Sequence, residues 1–283
     1  MSILITALVS LAILMSGYGF LELKLLRVKR YEISDPNVPD SLKGKRIALL
    51  SDLHCVYHGK KNIRLFRMLK AEKPDYIVLS GDVINGVERS ELRYAFRLFR
   101  RLRRLKVPVL YTFGNHEEKM RDNDLKAYRR LKRYAKKHMI LLNNRAYRPE
   151  GTEDVAFVGL NLPLWMYHGH DGNGLIKRRT DLILDRSGTR DCYKILVVHD
   201  PEHMDKYAES GYELCLSGHV HGGIVYLPLL GGLISPRLQI FNRKAKGYHE
   251  QGRMKAVISG GIGWHDIPIR LFNHPEVVIV SFR

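Results

Sequence analysis

The chain has 283 residues, of which 45% are hydrophobic and 27% are charged, and this balance excludes a disordered or fibrous protein. Its 47 lysines and arginines against 29 aspartates and glutamates give a net charge of +18, which favours anionic partners such as phosphates, nucleic acid or acidic lipid headgroups. The three cysteines are widely separated and form no C-x-x-C motif, which argues against a disulfide framework and a structural zinc knuckle.

The N-terminal segment is apolar, because residues 3–21 (ILITALVSLAILMSGYGFL) carry no charge. At about 1.5 Å per residue, a helix of this length nearly matches the ~30 Å hydrocarbon core of a membrane, so we expect an uncleaved transmembrane helix. Basic residues follow the run between Lys24 and Arg30, and the positive-inside rule then predicts a membrane-anchored protein whose following domain lies in the cytoplasm. Export is the alternative, supported only by a poor cleavage site at residues 15–17.

The sequence consists of three segments. We assign residues 1–30 to the membrane anchor and residues 31–45, which contain two prolines and no helical period, to an extended linker. Residues 46–283 then form a single folded domain.

Within this domain, eight short apolar runs predict buried strands. They are residues 47–52, 76–82, 109–115, 155–161, 195–200, 213–219, 256–261 and 277–282. Apolar side chains at three-to-four spacing predict helices over residues 61–73 and 88–106. After residue 155 we expect few long helices, apart from a short one that follows Pro201. This order predicts an α/β fold in which two sheets pack together with helices outside.

Several of the predicted strands end in residue types that bind metals. In chain order these residues are Asp52, His54, Asp82, Asn115, His116, Glu117, His199, His219 and His221. Ligand sites in α/β folds gather beyond the carboxyl ends of strands, so we expect these side chains to converge. In the D-x-H and H-x-H pairs the two ligands are two residues apart, and an extended backbone would point both the same way.

The ligand types predict the chemistry. Seven oxygen and imidazole ligands, drawn from the nine residues above, are too many for one tetrahedral zinc and suit two divalent ions that share a bridging carboxylate. Two such ions, about 3.5–4 Å apart, acidify a bound water and neutralise the oxygens of a phosphoryl group during in-line attack. The sequence therefore predicts phosphoester hydrolysis.

The same residues form a recognisable pattern. The blocks D-x-H, G-D, G-N-H-E, a separate His and G-H-x-H occur in order from residue 52 to residue 221, and they resemble the calcineurin-like metallophosphoesterase superfamily. The rest of the chain to residue 283, beginning with GHVHGG (218–223) and followed by GGIG (260–263), P-I-R (268–270) and P-E (275–276), looks like its bacterial membrane-associated branch. One departure is Val198, which precedes His199 where the superfamily has glycine.

The resemblance implies a role for each residue. Asp52, His54 and His221 would hold the first metal, and Asn115, His199 and His219 the second, with Asp82 bridging the two. His116 would serve as general acid or electrostatic stabiliser beside the leaving group, with Glu117 behind it or Asp52 as its hydrogen-bond partner, and His116 and Asp52 are therefore the catalytic candidates. These ligand types accept Mn, Fe or Zn, and no other cofactor is implied.

We therefore expect a membrane-anchored metallophosphoesterase with a four-layer α-β-β-α sandwich of two mixed sheets. Its substrate would be a phosphomonoester, phosphodiester or pyrophosphate near a membrane, and the anchor and basic surface favour a lipid-linked phosphate. A phosphodiesterase of soluble nucleotides and a non-catalytic phosphate-binding or scaffolding protein are the alternatives. The basic face of the helix at 88–106 would rest on anionic lipid headgroups or remain solvated. Nucleic acid is disfavoured because no nucleic-acid module accompanies the charge, and the sequence does not predict an oligomeric state.

Overall fold

A computed structural model of the chain describes residues 2–170, 172, 174–223, 225–227, 231–234, 240–242, 244–264 and 268–283. Two six-stranded mixed sheets pack face to face in it, and helices cover their outer faces. The α/β fold with two mixed sheets agrees with the sequence analysis.

The first sheet combines both ends of the described chain. In spatial order its strands are β1 (Arg27–Ile33), β15 (Glu276–Phe282), β2 (Arg46–Leu50), β3 (Tyr76–Ser80), β4 (Val109–Thr112) and β5 (Ile140–Leu141). Strands β15 and β2 are antiparallel, whereas the other neighbours are parallel.

The second sheet is built from the later part of the chain. In spatial order its strands are β13 (Gly247–Gln251), β14 (Met254–Ile258), β9 (Leu214–Ser217), β8 (Tyr193–Val198), β7 (Val155–Leu160) and β6 (Arg145–Tyr147). The two outermost pairs are antiparallel and the central strands are parallel. A small antiparallel sheet contains β10 (Tyr226–Leu227), β11 (Gly231–Ile234) and β12 (Ile240–Asn242).

The helices have the following bounds: α1 (Ser2–Glu22), α2 (Ile63–Glu72), α3 (Leu92–Arg103), α4 (Asn115–Asn123), α5 (Leu125–His138), α6 (Leu175–Ser187) and α7 (Met204–Glu209). Helices α2, α3 and α5 pack on the first sheet, and α6 and α7 on the second. The predicted helices over 61–73 and 88–106 correspond to α2 and α3, and the short helix after Pro201 to α7. Helices α4, α5 and α6 were not predicted, although Tyr128, Leu131 and Ala135 give α5 a buried stripe at three-to-four spacing.

A hydrophobic core between the two sheets explains why the strands appear in the sequence as continuous apolar runs. Side chains such as Leu49 and Val78 from the first sheet meet Phe157 and Val197 from the second, and all four are fully buried. Because helices cover the outer faces as well, residues on both sides of the central strands are buried.

The two sheets present the carboxyl ends of their parallel strands at one shared edge. His199, which follows β8 of the second sheet, lies with Nε2 2.8 Å from Oδ2 of Asp82, which follows β3 of the first sheet. Loops from both sheets therefore meet at this edge and form one site.

The N-terminal helix differs from the predicted transmembrane helix. None of the helices in the described part of the chain combines the length and the apolarity needed to cross a membrane. The last turn of α1 packs against the protein itself, since Glu22 is fully buried and its Oε2 accepts a hydrogen bond from the backbone N–H of Phe272. The predicted transmembrane helix at residues 3–21 and the membrane-anchored localisation are therefore wrong.

Strand β1 covers residues that the sequence analysis divided between the anchor and the linker. It pairs in parallel with β15 from Arg27 opposite Glu276 to Ile33 opposite Phe282. The segment before residue 46 thus contributes an edge strand to the first sheet.

Candidate metal centre

The predicted ligands all follow strands at the shared edge. Asp52 and His54 follow β2, Asp82 follows β3, Asn115 and His116 begin α4 directly after β4, His199 follows β8, and His219 and His221 follow β9. Val198, the departure from the superfamily pattern, is the last residue of β8 and is buried in the core beneath α6 and α7. It extends the strand up to His199.

Asp52, His54 and His221 form one cluster whose ligand atoms lie within 4.8 Å of one another. The Nε2 atoms of His54 and His221 are 3.1 Å apart. Oδ1 of Asp52 lies 3.4 Å from Nε2 of His221 and 4.0 Å from Nε2 of His54. Two imidazole nitrogens and a carboxylate oxygen thus surround one small volume.

Asp82, His199 and His219 form a second cluster with the same 4.8 Å limit. Oδ2 of Asp82 lies 2.8 Å from Nε2 of His199 and 3.9 Å from Nε2 of both His54 and His116. Asp82 therefore lies between the first cluster, the second cluster and His116.

The backbone of these loops differs from our expectation. Asp52, His54, Asp82, His219 and His221 all have positive φ angles, between 44° and 72°, so neither the D-x-H nor the H-x-H pair is extended. Left-handed backbone in residues other than glycine is sparsely populated and clusters at functional sites. The side chains converge because each strand ends in a sharp turn, and not because the strands continue.

Hydrogen bonds to carbonyl oxygens fix the orientation of the histidine rings. His199 Nδ1 donates to the carbonyl of Ser80 at 2.6 Å, and His116 Nδ1 donates to the carbonyl of Asn85 at 2.6 Å. His54 Nδ1 lies 3.1 Å from the side-chain Oδ1 of Asn85. These contacts place protons on the Nδ1 atoms and direct the Nε2 atoms toward the clusters.

Asn85 and Glu117 have roles that the sequence does not predict. The Nδ1 partner of His116 is the carbonyl of Asn85, and not Glu117 or Asp52 as the resemblance suggests. Glu117 is fully buried, and its carboxylate accepts hydrogen bonds from the backbone N–H groups of Asp82, Val83 and Gly114 and from the Tyr111 hydroxyl. It therefore joins the loops after β3 and β4 below the clusters.

Two glycines permit the close packing of these loops. Gly81 has a φ of +99°, and a Cβ there would lie 2.6 Å from Nδ1 of His199. At Gly114 a Cβ would lie 2.3 Å from Oδ1 of Asp82. Any larger residue at these positions would displace a ligand.

Burial and charge shift the pKa values of the ligands. Burial raises the pKa of Asp52 above its usual range. Burial acts in the same direction on Asp82, but the imidazoles of His199 and His116 outweigh it and hold the pKa of Asp82 well below its usual range. The Asp82 carboxylate overcomes the burial of His199 and raises its pKa to about 10, whereas burial lowers the pKa of His219 to about 4. Because metal ligands bind deprotonated, the proton of His199 is one that a metal must displace.

Arg270 is a further residue that the sequence analysis did not assign to the site. It is 3% exposed, and its Nη2 lies 3.4 Å from Nδ1 of His221. Burial lowers its pKa to about 10, so the guanidinium remains charged at neutral pH beside the first cluster.

The donor set fits divalent cations. Two buried carboxylates and four imidazoles face a common volume. Oδ1 of Asn115 is also buried and has no hydrogen-bond partner among the described residues, as expected of an amide oxygen kept for a cation. Mixed oxygen and imidazole ligands suit Mn, Fe or Zn.

Comparisons with known proteins agree with this geometry. A family profile described as calcineurin-like phosphoesterase matches residues 45–223. The uncharacterized metallophosphoesterase YkuE of Bacillus subtilis (strain 168) is 24% identical over 276 residues, which cover 94% of this chain and 90% of the relative. An uncharacterized metallophosphoesterase of Aquifex aeolicus (strain VF5) is 29% identical over 283 residues, with 96% and 98% covered. Among solved structures, TT1561 of Thermus thermophilus is similar in fold, with a TM-score of 0.50 at 14% identity over 78% of this chain and 91% of that one.

Replacing Gly114 by alanine tests the packing of the centre without removing a ligand. Its Cβ would meet the Asp82 carboxylate and the His199 ring, so we expect Gly114→Ala to weaken metal binding by about tenfold or more, as changes next to ligands do. Metal content after dialysis, measured by plasma mass spectrometry, checks this. Gly17→Ala in α1 is the control, because its Cβ meets no atom within 4 Å. Equal metal content in both variants would contradict the packing described here.

Proposed function

Because the chain belongs to the calcineurin-like phosphoesterase family and is a metal-dependent phosphoric ester hydrolase, we propose that two divalent ions bound side by side carry its reaction. The observation that carries this proposal is that Asp82 belongs to the cluster with His199 and His219 and also groups with His54 of the first cluster and with His116. Each cluster takes ligands from loops of both sheets, and together the two clusters offer more ligand atoms than one tetrahedral ion uses.

The ligands divide between the two ions according to the clusters. Asp52, His54 and His221 would hold the first ion, and His199 and His219 the second. Asp82 would contribute to both sites, since its Oδ2 lies within 4 Å of histidines from both sets. We add Asn115 to the second set because its buried Oδ1 has no other partner in the described part of the chain.

Bound together, two such ions supply an activated water nucleophile and neutralise the phosphoryl oxygens. The side chains of the protein contribute in two ways: one residue holds a catalytic imidazole in place, and that imidazole donates a proton to the leaving group. His116 is 5% exposed at the start of α4, and the Asn85 carbonyl fixes its Nδ1 as a donor. A second proton on Nε2 then makes His116 a general acid for the leaving-group oxygen.

The substrate is a phosphomonoester, a phosphodiester or a pyrophosphate. The preference for a lipid-linked phosphate was based on the membrane anchor and the basic surface, and of these two only the basic surface remains. A phosphodiesterase of soluble nucleotides is the alternative within the same chemistry. A non-catalytic phosphate-binding protein is the alternative outside it, and intact metal ligands together with His116 argue against it.

The excess positive charge lies mainly on the helices that cover the first sheet. Residues 60–73, 89–106 and 125–138 contain only two acidic residues, Glu72 and Glu91, among their many lysines and arginines. A basic layer of this kind attracts anionic substrates to the protein. Contact of this layer with anionic lipid headgroups stays a prediction.

Removing a ligand should lower metal content and activity together. We expect Asp82→Asn and His221→Ala each to lose at least one equivalent of metal and most phosphoesterase activity, because both ligands contact the shared volume. Metal analysis and hydrolysis of a panel of phosphomonoesters and phosphodiesters check this. Normal metal content with full activity in either variant would exclude the two-metal assignment.

His116 should behave differently from a ligand. We expect His116→Ala to keep both metals and to lower turnover on a poor leaving group by about 10²–10⁴-fold, with a smaller loss on an activated ester that needs no proton. The ratio of turnover on the two esters is the measurement. Loss of a metal in this variant would show that His116 is a ligand and not an acid.

A further inference from the structure

The loop at residues 268–274 lies directly behind the first cluster. Asn273 is fully buried, and its Nδ2 donates to the carbonyl of His221 at 2.7 Å and to the carbonyl of Gly223 at 2.6 Å. Leu271 forms a bridge with Val225, and its carbonyl accepts from Tyr226 N–H at 2.9 Å. The backbone that carries His221 is thus held from behind along several residues.

Arg270 connects this loop to the opposite side of the cluster. Its Nη1 donates to the carbonyl of Gly260 at 2.7 Å, and its Nη2 donates to the carbonyl of Gly263 at 2.6 Å. Gly263 in turn donates its N–H to the carbonyl of Asp52 at 2.6 Å. One buried guanidinium therefore lies between the segment behind Asp52 and the ring of His221.

Glu22, at the end of α1, holds the loop in place. Its Oε2 accepts from Phe272 N–H at 2.8 Å, and its Oε1 lies 3.2 Å from Nδ1 of His274. Phe272 has a φ of +57°, an unfavourable backbone conformation for a phenylalanine that needs support from neighbouring contacts. A buried carboxylate that accepts this N–H supplies such support.

Close packing strengthens the same contact. A Cβ at Gly19 would lie 2.7 Å from Cγ2 of Ile269 and 3.1 Å from the carbonyl of Arg270. The rings of Tyr18 and Phe272 also pack with centroids 5.9 Å apart. The last turn of α1 and the loop therefore fit together without space between them.

We propose that Asn273 and Arg270, held in place by Glu22 of α1, are positioning residues that fix His221 and Asp52 for binding of the first metal. The proposal rests on the proposed function and deepens it, because it makes the N-terminal helix part of the metal centre. From the sequence, residues 1–30 are predicted to form an anchor separate from the folded domain at residues 46–283. The contacts of Glu22 indicate that its loss weakens the first metal site.

The hydrogen bonds of Asn273 and Glu22 determine which variants test the proposal. Asn273→Asp keeps the shape of the side chain and the acceptor for Lys246 Nζ at 2.8 Å, but it removes both donors to the His221 segment. Glu22→Ala removes the acceptor for Phe272 N–H, whereas Glu22→Gln retains one. Glu72→Ala is the matched control, because Glu72 is a carboxylate of low exposure that pairs with Arg30 near the N-terminus and contacts no metal ligand. Asn62→Asp is the matched control for Asn273→Asp, since Asn62 is also buried and forms hydrogen bonds with the His58 backbone and the Tyr94 hydroxyl.

The measurement is calorimetric titration of Mn²⁺ into full-length protein freed of metal with a chelator, together with the melting temperature of each metal-free variant. We expect Asn273→Asp and Glu22→Ala to weaken one of the two binding steps by about tenfold or more, the range found when partners of metal ligands are changed. Glu22→Gln should recover most of the affinity. Both controls should bind Mn²⁺ as the wild type does, even where their melting temperatures fall.

Three results would overturn the proposal. Wild-type affinity in Asn273→Asp and Glu22→Ala would show that these residues support only the fold. An equal loss of affinity in Glu72→Ala would show that general destabilisation is the cause. Wild-type protein that binds no Mn²⁺ and hydrolyses no phosphate ester would refute the proposed function itself, and the positioning role with it.

Discussion

Two buried carboxylates, Asp52 and Asp82, impose the constraint on which the rest of the site depends. They are 0% and 1% exposed, and a buried charge is costly unless it is paired and hydrogen-bonded. The chain supplies this compensation from both sheets: His219 N–H donates to Asp52, His116 N–H donates to Asp82, and the His199 imidazole contacts Asp82. The packing of the two sheets therefore creates a buried cluster of carboxylates and imidazoles that can hold cations.

The convergence of these side chains could be predicted from the sequence because the strands that carry them are buried, apolar and parallel. When such strands are neighbours, their carboxyl ends meet at one edge, so residues as distant in sequence as Asp82 and His199 become candidates for one site. The sequence does not reveal the left-handed turns at these positions, nor the role of Asn85. An asparagine carbonyl carries no signal of its own, and its contact with His116 depends on a turn geometry that no residue pattern encodes.

Fold prediction failed where long-range packing decides the outcome. The apolar run at residues 3–21 has the composition of a membrane segment, yet its final turn contacts a loop about 250 residues away through Glu22 and Phe272. Strand β1 was assigned to an anchor and a linker because its pairing partner, β15, is the last strand of the chain. Helix α5 is a different case. Its apolar stripe is present in the sequence, but the many basic residues between the apolar positions make the stripe hard to recognise.

Anomalous diffraction from crystals soaked in a manganese salt would locate the ions of the centre. We expect two manganese peaks about 3.5–4 Å apart, the spacing of two-metal hydrolytic sites, with one peak beside Asp52, His54 and His221 and the other beside His199 and His219. Asp82 should contact both. A single peak, or two peaks of which neither contacts Asp82, would exclude the two-metal centre.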